Sequence, residues 1–91
     1  MSCSNTVLFK LPYIEYMNEA FRCFMEKGQI FLAILTSTLI VGCESDRLIA
    51  VLTLADCGGE VVEDILEAVS RNDPSDVIKE KAKERLIWIR C

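Results

Sequence analysis

A small α+β domain is what this sequence predicts, an antiparallel sheet with helices packed on one face. Three observations carry that reading. A short stretch near the N-terminus alternates apolar and polar residues, as a strand does. Two longer stretches repeat their apolar residues at helical spacing. Between them lie runs rich in Ile, Leu, Val and Thr, split by a polar turn, which favour strands.

Residues 1–5 carry no pattern and are expected to be flexible. Over residues 6–11, Val7, Phe9 and Leu11 share one strand face, and Thr6, Leu8 and Lys10 the other. Pro12 ends that strand and suits a first helical turn, where its missing N–H costs nothing. From Tyr13 the period changes. Ile14, Met17, Phe21 and Phe24 follow helical spacing with Ala20 beside them, while Glu15, Asn18, Glu19, Arg22 and Glu26 lie mostly opposite. Lys27 and Gly28 then close the helix with a cation and a residue that tolerates a left-handed backbone.

Residues 30–43 read as one long strand, or as two broken near Thr36-Ser37-Thr38. Glu44-Ser45-Asp46-Arg47 is a polar turn and residues 48–54 a second strand, so the pair forms a hairpin. Neither run alternates cleanly, as expected of strands covered on both faces. Asp56-Cys57-Gly58-Gly59 opens the next helix, whose inner stripe is Val61, Val62, Ile65, Leu66 and Val69. Asn72-Asp73-Pro74-Ser75 interrupts it, with Asp73 or Ser75 able to cap a last helix carrying Val77, Ile78, Ala82 and Leu86. Residues 86–91 either finish that helix or form a closing strand. The order is therefore β-α-β-β-α-α, or β-α-β-β-α-α-β, a ferredoxin-like plan with one extra helix. In element order the chain resembles ferredoxin-like regulatory modules and the small dimerising subunit of the KEOPS tRNA-modification complex. No motif is shared residue by residue, so no site carries over.

Ninety-one residues make one domain, residues 1–91. Their 52% hydrophobic content is rich for a chain too small to hide much surface, which points to apolar residues buried against a partner. A net charge of −4 argues against nucleic acid and against an acidic membrane surface, both of which need clustered Lys and Arg. The longest apolar run is too short and too interrupted to span a bilayer, and no secretory leader is recognisable, so a cytoplasmic location is expected. Five cysteines, at 3, 23, 43, 57 and 91, are odd in number and form no CxxC pair, so reduced thiols are expected; Cys23 and Cys43 read as small apolar residues.

Histidine is absent, which removes Ser-His-Asp and Cys-His nucleophiles and every His-containing metal site. Cys57 stands at an expected helix N-terminus, a place that can activate a thiol, but Asp56, Glu60, Glu63 and Asp64 surround it with negative charge. Glu60, Glu63, Asp64 and Glu67 form one acidic helix face, either simply solvated, a docking face for a basic partner, or a weak divalent-cation site. Lys79, Lys81, Lys83 and Arg85 on the next helix are expected to offset it. Trp88 is core or interface. No catalytic residue, metal or cofactor is expected. The leading expectation is a non-catalytic protein–protein interaction module, a homodimer or small subunit of a complex, with Ile40, Ile49, Val51 and Trp88 as interface residues. A ferredoxin-like module binding a small molecule is the alternative, and a thiol redox protein comes third.

Overall fold

In the computed structural model, residues 12–90 are described, and they form five helices: α1 (Tyr13–Glu26), α2 (Ile30–Val41), α3 (Glu44–Cys57), α4 (Glu60–Asn72) and α5 (Asp76–Arg90). Among the described residues there is no strand, so the α+β, ferredoxin-like expectation is corrected to an all-helical one. The hairpin is replaced by two helices, and residues 86–90 finish α5 rather than forming a strand. The strand expected at residues 6–11, the flexible residues 1–5, Cys3 and Cys91 lie outside the described residues.

Why helices win over residues 30–57 follows from where the side chains go. Six of the twelve residues of α2 are β-branched, which costs about 3 kcal/mol against alanine. Against this, α2 buries Ala33, Leu35, Thr36 and Leu39, and each large apolar side chain buried returns about 1.5–3 kcal/mol. The threonines fit because their hydroxyls bond back along the helix. Thr36 Oγ1 donates to the Leu32 carbonyl at 2.9 Å, Thr38 to Ile34 at 3.0 Å and Thr53 to Ile49 at 2.8 Å. The expected polar turn is instead the first turn of α3, where Glu44 and Asp46 face the positive end of the helix dipole. Arg47, Ala50, Val51 and Leu54 then turn inward at helical spacing.

Turn chemistry sets the connections. Pro12 precedes α1, and its carbonyl accepts from the Tyr16 amide at 3.0 Å. Gly28 sits at φ +75°, and the Gln29 amide reaches back to the Phe24 carbonyl at 2.9 Å, closing α1. Gly58 and Gly59, at φ +71° and +109°, join α3 to α4 in two residues. Gly42 is required for a different reason: a Cβ there would meet the Thr38 carbonyl oxygen at 2.6 Å.

The helices pack chiefly in the pairs α1–α2, α2–α3, α3–α5 and α4–α5, with α4 also touching α1 and α3. Helix α4 is the most deeply seated; Val62, Ile65, Leu66 and Val69 are all fully buried. They meet Met17 and Phe24 of α1, Val51 and Leu54 of α3, and Ile78, Ala82 and Leu86 of α5 in one core. Helix α2 lies at the margin, its main neighbours being α1 and α3. No helix of the described residues is long and apolar enough to cross a membrane.

Candidate interaction surface

Helix α2 has no charged residue, and the uncharged stretch runs from Gly28 to Cys43. Its inner side is in the core, but its outer side is open. Ile30, Phe31, Ile34 and Val41 remain 47%, 58%, 56% and 79% exposed, with half-buried Ser37 and Thr38 between them. At 3.6 residues per turn these six positions occupy about a third of the helix circumference, along its full length of about 18 Å. A helix that is apolar all round is normally buried all round. This one is buried on one side only.

The residues expected at an interface are dispersed. Ile49 is 59% exposed on α3 and Trp88 71% exposed near the end of α5, whereas Val51 is fully buried in the core. Ile40 is half-buried against that core. Trp88 neighbours Ile87, which lines an open, shallow groove with Lys83, Leu86 and Arg90.

The acidic face is held by arginines rather than by Lys79–Arg85. Arg90 lies 3.6 Å from both Glu63 and Glu67, and Arg71 bonds Glu67 at 3.1 Å. Lys81 and Lys83 pair within α5, with Glu84 and Glu80. Partial burial raises the Asp64 carboxyl above its usual range, helped by Glu67, Glu63 and Glu60 and opposed by Arg90. Burial likewise pushes the Tyr16 phenol up, with Asp64 and Glu67 adding to it. Among the described residues, no cluster of three or more His, Cys, Asp or Glu is arranged to hold a metal ion.

Cys57 is the last residue of α3, not the start of α4. The carbonyl end of a helix supplies no positive field for a nucleophilic sulfur. Cys43 is also exposed, its Sγ 3.3 Å from Ser45 Oγ, and Cys23 is half-buried. Near Gly58 and Gly59, a cleft of about 260 Å³ is lined by Phe24, Lys27, Gln29 and Leu32. Small-molecule sites of about 300–1,000 Å³ are usual, so it is undersized.

One polar constellation is not legible as such in the sequence. Asp73, 1% exposed, accepts from Arg47 Nε at 3.0 Å and Nη2 at 3.3 Å, while Arg47 Nη1 donates to the Gly42 carbonyl at 2.9 Å. Asp73 Oδ1 also takes the Ser75 amide at 2.9 Å, and Ser75 Oγ takes that of Ile78 at 3.4 Å, capping α5. Tyr13 stands nearby with its hydroxyl buried and without a hydrogen-bond partner among the described residues; burial raises its pKa, Asp73 raises it further and Arg47 lowers it. The cluster ties the α2–α3 junction to the α4–α5 junction and performs no visible chemistry. No protein-family model, curated protein or solved structure matches the chain.

Proposed function

We propose that this chain is a non-catalytic protein–protein interaction module that works through the outer face of α2, as a homodimer or as a small subunit of a complex. The observation that carries the reading is the charge-free helix whose Ile30, Phe31, Ile34 and Val41 stand in water. Contiguous apolar surface of this kind marks association sites, whereas scattered exposed residues such as Ile14 or Val77 do not. A protein partner suits the face better than nucleic acid or an anionic membrane, because the stripe offers no cation to a phosphate. The absence of histidine supports a non-catalytic role.

Sedimentation equilibrium of wild type and Ile34→Lys tests this. Wild type is expected above the 10.3 kDa chain mass at micromolar concentration, and Ile34→Lys at 10.3 kDa with unchanged far-UV circular dichroism. Wild type that self-associates but keeps its mass in Ile34→Lys contradicts the α2 reading, and wild type that stays monomeric at hundreds of micromolar contradicts its homodimer form.

A further inference from the structure

Resting on that reading, we infer that the occupant of the α2 face is a second copy of this chain, its α2 laid antiparallel across the first about a two-fold axis. Self-pairing needs a surface that does not repel itself. The chain carries −4 overall, yet the sixteen residues from Gly28 to Cys43 carry no charge, so α2 is the stretch on which two copies approach without opposing charges. The same lack of charge gives a foreign partner no sign to select by.

The area is sufficient for a modest dimer. With roughly 200 Å² for a fully exposed large apolar residue, the exposures of Ile30, Phe31, Ile34 and Val41 leave about 480 Å² open per copy. Complete burial of these residues in both copies hides about 960 Å², close to the roughly 1,000 Å² that a specific interface needs, with the flanking residues adding the rest.

Side-chain size and flanking charge set the direction. With antiparallel helices in full overlap, Ile30 and Phe31 of one copy meet Val41 of the other, and Ile34 meets Ser37 and Thr38, so bulk faces small residues. Parallel pairing stacks Phe31 on Phe31 and Ile34 on Ile34, leaving a gap at Ser37 and Thr38. At the ends, exposed Glu26 and Lys27 precede α2, and exposed Glu44 and Asp46 follow it. Antiparallel packing brings Glu26 and Lys27 toward the partner's Glu44 and Asp46, so one cation offsets three carboxylates at each end; parallel packing crowds four carboxylates together at one end with no flanking cation.

Oxidative cross-linking tests the inference in the full chain with its own cysteines replaced by alanine. Phe31→Cys and Val41→Cys are mixed in equal amounts, and sedimentation is run alongside. Both positions are exposed, so the fold is not at risk. The expected product is the mixed 31–41 disulfide, in several-fold excess over either like pair. Predominant 31–31 and 41–41 products overturn the antiparallel arrangement while leaving the α2 face as the site of association. A dimer by sedimentation that gives neither cross-link overturns the inference and the α2 reading together. A monomer that gives neither overturns self-pairing alone.

Discussion

Breaking the Arg47–Asp73 pair is expected to cost far more stability than any surface ion pair in this chain. Asp73 is 1% exposed and the Arg47 side chain 16%; two hydrogen bonds between them join the two inter-helix junctions, and a third from Arg47 to the Gly42 carbonyl anchors the guanidinium at its own. Asp73→Asn keeps the size and an acceptor for the Ser75 amide but leaves the guanidinium buried without its counter-charge. Removing one partner of a buried pair costs about 3–5 kcal/mol, and the residual exposure of Arg47 places the expected loss near about 3 kcal/mol. Arg47→Met, which strands the carboxylate, is expected to cost about as much. For a domain of this size, total stability is roughly 5–13 kcal/mol, so either change lowers the melting temperature by roughly 12–24 °C. The double variant removes both charges and is expected to lose about 2 kcal/mol less than the sum of the singles. Urea unfolding of all four chains at neutral pH measures this. Single losses below about 1 kcal/mol, or singles that add within about 0.5 kcal/mol, refute the assignment of Arg47 and Asp73 as a structural unit.

Three further outcomes follow from local chemistry. Tyr13→Phe removes a buried hydroxyl that has no partner among the described residues, and is expected to leave stability unchanged or raise it by up to about 1 kcal/mol in the same urea assay; a loss above about 1 kcal/mol shows that the hydroxyl is satisfied. Because the folded-state pKa of Asp64 is raised, the folded protein holds that proton more tightly than the unfolded chain. Asp64 therefore costs stability as pH climbs from about 3.8 through its raised folded value. Asp64→Asn is expected to gain a few tenths of a kcal/mol at pH 7, where the like-charge neighbours are ionised, and nothing below pH 3.8; equal gains at both pH values contradict this sign. Trp88, the single tryptophan, is expected to emit as a water-exposed indole and to be readily quenched by acrylamide in dilute solution; a blue-shifted, protected indole places it in a core or under a partner.

How far the fold can be read from the residues depends on whether polar side chains mark the outer face. In α1 and α4 they do: Glu15, Asn18 and Glu19, and Glu60, Glu63 and Asp64, alternate with buried stripes, and both helices appear where their spacing places them, although in α1 Ile14 is exposed and Tyr16 is buried in its stead. In α2 the period is invisible, since Ile30, Phe31 and Ile34 outside are as apolar as Ala33, Leu35 and Leu39 inside. Without a polar face to reveal 3.6-residue spacing, β-branched content dominates the reading. Run length argues the other way, because fourteen residues exceed a usual strand. Helix α3 is misread through one residue. Arg47, taken as part of a turn, points inward to Asp73 and starts the Arg47, Ala50, Val51, Leu54 stripe.

The same error of period scatters the surface residues. On a strand, Ile49 and Val51 share a face; on a helix they lie about 200° apart, so one is exposed and the other buried. The apolar surplus in the composition has its counterpart in exposed large apolar residues, four of them on α2 and the others on α1, α3 and α5.

The central claim, that association uses the outer face of α2, is tested most directly by amide chemical shifts of the isotopically labelled chain through a dilution series. Concentration-dependent shifts are expected to cluster on Ile30–Val41 and to extend at its ends to Lys27 and to Glu44 and Asp46. Shifts centred instead on Ile87 and Trp88 at the end of α5 contradict it; shifts absent from micromolar to millimolar concentration contradict self-pairing and leave the face to a foreign partner.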